Sequence, residues 1–224
     1  MGQKINPKGF RLGVIYTWDS RWFADKNQYK RFVLEDVHIR QAIFEKIKKA
    51  GLTKVEIERS INTVNIVLRV VRPGVVIGRG GAGLEELKKY LTLIIAKHRK
   101  SKNLTDKKNA IKIDLHVEPV KEPNLDAYFV ASQIAEQLIK RLPHKRVVHF
   151  ALEKVMNSGA KGAKIILSGR IAGAEIARRE TYKSGSIPLS TLREDIDYTH
   201  VPALTKSGYI GIKVWICRKN YVSS

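Results

Sequence analysis

The stretch Arg72-Pro73-Gly74-Val75-Val76-Ile77-Gly78-Arg79-Gly80-Gly81 constrains the fold of this chain more than any other. Two alternating runs precede it. Val55 and Ile57 share one face between Lys54 and Arg59, and Val64, Ile66, Leu68 and Val70 then repeat at a period of two. That period belongs to half-buried strands, and the short connection 60–63 makes the pair an antiparallel hairpin. Pro73 ends the second strand, because it cannot donate to a ladder. Beyond the glycines, Leu84, Leu87, Leu91, Ile94 and Ile95 line one face of a helix. Ile111, Ile113, Leu115 and Val117 alternate again up to Pro119. A strand that returns after a helical crossover runs parallel to the strand before it. The chain must therefore turn sharply through glycine and come back to the same sheet.

Upstream, Asp36 is a plausible N-cap for a helix carrying Ile39, Ile43, Ile47 and Ala50, which Gly51 stops. The lysine-rich stretch 97–109 reads as a solvated loop, and residues 118–124, with two prolines, as a linker. Beyond it, Ala127, Ala131, Ile134, Leu138 and Leu142 make a helical face ended by Pro143. A second helix over 145–157 carries Val148, Ala151, Leu152 and Val155. Strand-like runs follow at 164–170, 180–187, 195–200 and 209–217. The prediction is an α+β protein in three parts. Residues 1–24 form an arm, 25–120 a first domain with helices on a three-stranded mixed sheet, and 121–224 a second domain with two helices on a mainly antiparallel sheet. The arm alternates Lys4, Lys8 and Arg11 with Pro7, Gly9 and Gly13, and holds Phe10, Trp18, Trp22 and Phe23. We expect it to order on a partner and to add little to the free fold.

The glycine turn has a chemical reading. Glycine at 78, 80 and 81 lets a phosphodiester chain approach without a Cβ in the way, and Arg79 and the following helix N-terminus favour negative charge. A GxxG loop between two helices grips single-stranded nucleic acid by its backbone in KH domains. The element order helix, strand, strand, short helix, GxxG, helix, strand resembles the type II KH domain. A rival reading remains at this point: residues 78–83 also spell G-x-G-x-x-G, the dinucleotide fingerprint, which needs a strand before it and an acidic residue about twenty positions on.

Charge bears on that choice. Lys and Arg number 42 against 21 acidic residues, a net +21 and a pI near 10.1. Such an excess costs self-repulsion, which a polyanionic partner relieves. No apolar run is long enough to span a bilayer, and residues 1–6 hold no apolar signal core, so no membrane role is expected. One cysteine, Cys217, excludes an internal disulfide and fits a reducing, cytoplasmic setting. The histidines lack zinc spacing, Asp195 and Asp197 stand without further acids or a histidine base, and no cofactor, metal or catalytic residue is assigned. The basic clusters are better candidates: Lys140, Arg141, Lys145 and Arg146 bracket Pro143 beside His144 and His149, and a glycine-rich passage lies among Arg170, Arg178 and Arg179. The candidate RNA contacts are Lys4, Lys8 and Arg11 in the arm, and Arg72, Gly78, Arg79, Gly80, Gly81 and Lys88 about the loop. In the second domain they are Lys145, Arg146, His149, Arg170, Arg178 and Arg179.

Taken together, the chain resembles the small-subunit ribosomal protein number three, of the bacterial type. The resemblance rests on Met1-Gly2-Gln3-Lys4-Ile5-Asn6-Pro7 with Gly9, Arg11, Leu12 and Gly13, on Trp18 to Trp22, and on Arg72 to Gly78. It continues through Gly159-Ala160-Lys161-Gly162, Ser168-Gly169-Arg170, Gly173 to Arg178, and Thr191 to Tyr198. It implies a structural, non-enzymatic protein that binds ribosomal RNA in the head of the small subunit, beside proteins ten and fourteen. With proteins four and five it would line the channel by which messenger RNA enters, with no homo-oligomer expected. It also implies that the helix carrying Lys145, Arg146 and His149 faces messenger and helps unwind it. The family pattern there is two arginines and, three residues on, a lysine. Histidine stands in that third place in this chain. The loop has one basic residue where a pair is common, and 97–109 looks like an insertion. A free-standing regulatory KH protein is the alternative from another class, and an organellar ribosome stays open.

Overall fold

The computed structural model describes residues 4–60, 63–100 and 112–219. These fall into two compact units: Trp18–Lys121, and Met1–Thr17 together with Glu122–Ser224. The expected arm 1–24 is therefore divided. Its first part belongs with the second unit and residues from Trp18 onward belong with the first. The chain opens on one helical turn, α1 (Pro7–Phe10), with Pro7 at its start and the Asn6 side chain accepting from the Lys8 amide at 3.0 Å.

The first unit begins with a two-residue strand, β1 (Ser20–Arg21), then a long helix, α2 (Lys26–Lys46). That helix starts well before the expected Asp36. Asp36 and Glu35 sit inside it and are buried, because Arg59 pairs with both, at 2.8 Å to Glu35 and 2.5 Å to Asp36. Asp36 also accepts from Trp22 Nε1 at 2.8 Å and Ser20 Oγ at 3.0 Å. A buried ion pair breaks the apolar period on the first half of the helix, which hid that half from a pattern reading. Strands β2 (Leu52–Arg59) and β3 (Thr63–Val70) pair antiparallel. A short helix α3 (Pro73–Ile77) and a longer one, α4 (Ala82–Lys100), lead to β4 (Lys112–Pro119), which pairs parallel to β3 as the crossover demands. Residues 97–100 extend α4 instead of starting a loop, and the rest of the polar stretch lies outside the described residues. Because β1 adds to β2 in parallel, the mixed sheet has four strands where three were expected. Ile39, Ile43, Leu87, Leu91 and Ile95 pack onto Ile57, Ile66 and Leu68.

In the second unit, α5 (Ala127–Ile139) is capped by Asp126, which accepts from the Tyr128 and Phe129 amides. Helix α6 (His144–Asn157) follows Pro143. Four antiparallel strands complete it: β5 (Gly162–Gly169), β6 (Arg178–Gly185), β7 (Ile196–Thr205) and β8 (Gly208–Cys217), in the order β6-β5-β8-β7. Both helices cover one face of this sheet, where Ile165, Leu167, Ile212, Val214 and Ile216 meet Ala131, Ile134, Val148 and Leu152. The architecture is the α+β arrangement the element order predicts, with every second-unit strand among the described residues antiparallel.

Candidate nucleic-acid interface

The glycine loop is built by a close helix approach. Helix α3 ends where the Gly78 amide donates to Gly74 O at 3.0 Å, and Gly78 then adopts φ 68°, ψ −176°, a region open to glycine alone. Gly80 sits at φ 62°, and Gly78, Arg79 and Gly80 are exposed. A fourth glycine, Gly83, the last of the G-x-G-x-x-G spelling but not among the candidate RNA contacts, sets the geometry. A Cβ on Gly83 would lie 2.5 Å from Val76 O, so only glycine lets α3 and the first turn of α4 touch and push the loop outward. Its sequence signal is its place as the last glycine of the 78–83 run, in the first turn of a helix. Arg72 is exposed just before α3, whereas Lys88 leans on Asp114 at 3.4 Å. A helix, not a strand, precedes the glycines, so the dinucleotide fingerprint lacks the element it requires.

The second basic surface lies on α6. Val147, Val148, Leu152 and Val155 face the core, which turns Lys145, Arg146 and His149 outward, with Lys145 and His149 one helical turn apart. The His149 ring meets Tyr182 edge-on at 5.5 Å between centroids. Beneath it, Glu180 gathers Tyr182 OH at 2.6 Å and Arg178 Nε at 3.0 Å. His144 Nε2 stands 3.1 Å from the same carboxylate, at ion-pair distance but without hydrogen-bond alignment. The Tyr182 hydrogen bond first, then the His144 and Arg178 charges, hold the Glu180 carboxyl below its usual range. Arg178 is thus partly engaged, while Arg179 is exposed and free of such a carboxylate among the described residues. Arg170 is exposed and its Nε donates to Ala174 O at 2.8 Å, which folds the glycine-rich passage back on itself.

The arm residues depart most from expectation. Arg11 is wholly buried. Its guanidinium donates to Glu194 O at 2.8 Å, Thr191 O at 2.8 Å, Leu189 O at 3.1 Å and Pro7 O at 3.2 Å. Lys8 pairs with Asp197 at 3.0 Å, and Tyr16 donates to Asp195. Asp195 and Asp197 are therefore structural: Asp197 also accepts from the Ala127 amide at 2.8 Å and Arg218 at 3.3 Å. Arg11 cannot reach RNA from inside a ring of carbonyls, and Lys8 already has a partner; Lys4 stays exposed. Among the described residues no cluster of acids, histidines or cysteine could hold a metal, and no helix is long and apolar enough to cross a membrane.

A glycine loop between two helices on a mixed sheet, joined in one chain to a second α+β unit, defines a KH-type RNA-binding protein of two domains. The family model described as the KH domain matches residues 38–125, and that described as the ribosomal protein S3 C-terminal domain matches residues 134–216. The small ribosomal subunit protein uS3 of Caldicellulosiruptor bescii is 47% identical over 216 residues, covering 96% of this chain and 91% of that protein. Its counterpart in Lactobacillus helveticus is 47% identical over 218 residues, covering 97% and 91%. That of Vesicomyosocius okutanii is 43% identical, covering 96% and 88%. The chain belongs to the small ribosomal subunit protein uS3 family.

Proposed function

We propose that this chain is a structural constituent of the small ribosomal subunit. It binds ribosomal RNA in the head and lines the messenger channel, next to proteins ten and fourteen in the head and four and five at the channel mouth. The observation that carries the RNA-binding reading is the exposed loop, where Gly78 and Gly80 adopt positive φ and Arg79 is exposed. Such a loop exposes backbone and leaves room for phosphates. Lys145, Arg146 and His149 on α6 form the messenger-facing surface in this reading, with Arg170, Arg179 and Lys4 as further contacts.

The test uses the full chain and the variant Arg79→Asp with Gly80→Asp. A Cβ at Gly80 meets nothing within 4 Å, and aspartate tolerates the left-handed conformation better than most residues, so the variant should fold. Losing one charge-assisted contact costs roughly 1.5–3 kcal/mol, about a tenfold to hundredfold loss of single-stranded RNA affinity, to which repulsion adds. Retained RNA affinity in a folded variant would leave the loop idle. Co-sedimentation of the tagged protein with small subunits through high salt tests the ribosomal role; free migration would favour a free-standing KH regulator.

A further inference from the structure

The second unit's sheet has a face that its helices do not cover, although Ile187 and Leu189 pack on part of it against Ile166, Ile196, Trp215 and Cys217. Pairing registers define it, because residues directly opposite one another point the same way. Lys183, Lys164, Trp215 and Tyr198 form one row across the four strands. Thr181, Ile166, Lys213 and His200 form the next. Arg179 begins the third, opposite Ser168. No acidic residue occupies a strand position in these rows. Lys164 and Lys183 are direct cross-strand neighbours of like charge, an arrangement that destabilises a free sheet. Among the described residues, Lys4, Lys164, Arg179, Lys183 and Lys213 form no ion pair with any carboxylate, although Lys8, Lys161, Arg178 and Arg218 of the same unit all do. Burial first, then the charges of Lys4, Arg179 and Lys183, push the Lys164 ammonium below its ordinary range, so these cations share one electrostatic neighbourhood.

We propose that the cations on this helix-free sheet face form an RNA-binding surface separate from the glycine loop and from α6, and that it grips the phosphodiester backbone through Lys164, Lys183, Lys213, Arg179 and Lys4 without reading sequence. The aromatic side chain beneath it argues for phosphates over bases. Trp215 is buried, with the Lys164 ammonium 5.6 Å from its ring centroid, so it offers no open ring on which a base could stack. Rows repeat every ~6.8 Å along a strand, so the cations form a flat grid rather than a pocket, which suits an extended polyanion. Like charges set side by side with no carboxylate between them are what a solubilising surface avoids and a phosphate-bound surface uses.

This rests on the RNA-binding reading above, and the test separates the two. The full chain would carry Lys164→Gln, Lys183→Gln and Lys213→Gln together. Its affinity for two single-stranded 30-nucleotide RNAs of unrelated sequence would be measured across a salt series. Each lost phosphate contact removes about 0.7 from the slope of log affinity against log salt, so the slope should become shallower by about 2. Affinity at low salt should fall at least tenfold, equally for both RNAs. The melting temperature should not fall, since like-charge repulsion is relieved. The same positions changed to arginine should bind as the parent does. A control carrying Lys26→Gln, Lys30→Gln and Lys48→Gln, which removes equal charge from the other unit, should lose far less. An unchanged slope in the folded triple variant, or an equal loss in the control, overturns the proposal. Loss for one RNA only overturns its sequence independence. Cross-links from this face to a protein rather than to RNA in assembled subunits would assign it to an acidic protein partner and overturn it too. If the parent binds neither RNA, the broader reading fails instead.

Discussion

Arg11 shows how far a basic residue can be from a phosphate contact. Three of its four hydrogen bonds tie the opening turn of the chain to residues 189–194 and the fourth reaches Pro7 O, and each accepting carbonyl would lose its donor in Arg11→Met. Leaving buried groups unpaired around a lost charge costs about 3–5 kcal/mol. We expect the second unit to melt lower by roughly 10 °C or more. Hydrogen exchange of the β7 and β8 amides would show it, and a change confined to RNA binding would refute it. Deleting residues 1–17 should act in the same direction, against the expectation of a thermodynamically idle arm. Cys217 makes a second residue-scale case. It is wholly buried beside Glu194, and burial, then that carboxylate, pushes the thiol up to about 11. The native protein should therefore resist iodoacetamide at pH 8 and label fully once unfolded. Because the folded value is raised, the stabilisation linked to this group is present below the unfolded thiol's range and lost as pH rises through about 11. Rapid labelling of folded protein at pH 8 would show the thiol to be accessible.

At the scale of elements, the loop depends on a contact outside its own motif. Gly83→Ala would put a methyl 2.5 Å from Val76 O and 3.1 Å from Ile77 O, backbone atoms that can yield only if α3 moves from α4. A destabilisation of about 1–3 kcal/mol is expected, with weaker RNA binding although Gly78 to Gly81 are untouched. A variant as stable as the parent, with normal RNA affinity, would show that the helix crossing is slack. The same contrast explains what was legible in the sequence. Val64, Ile66, Leu68 and Val70 give up their strand because one face is buried at a strict period of two. The α4 face is legible for the same reason at helical period. The first half of α2 is not, because its inward positions include Glu35 and Asp36, and burial of charge is set by Arg59, a partner distant in sequence. Strand β1 is two residues long and carries no period at all. Within the candidate interface, exposed glycines and the outward face of α6 could be read from pattern. The fate of Arg11 and Lys8 could not, since a cation committed to carbonyls or to Asp197 looks the same in sequence as one waiting for phosphate.

For the whole molecule, the net charge of +21 makes two salt effects run in opposite directions. Salt screens repulsion among cations at the surface, including Lys164 and Lys183 in the free protein, with a Debye length near 10 Å at about 0.1 M. Salt also screens exposed ion pairs such as Lys46 with Glu86, but solvated pairs of this kind contribute little to stability. The buried Arg59 pairs are shielded from it. Repulsion should win, so the melting temperature of the RNA-free protein should rise between about 50 and 300 mM salt. RNA binding should do the reverse. If about six to ten phosphates are neutralised, log affinity should fall against log salt with a slope of about −4 to −9. Thermal melts and RNA titrations in the same buffers would measure both. A melting temperature that falls with salt would mean that ion pairs outweigh repulsion and that the fold needs no polyanion to relieve it. A binding slope shallower than about −2 would show that the excess charge serves solubility, because a surface gripping phosphates must release their counterions.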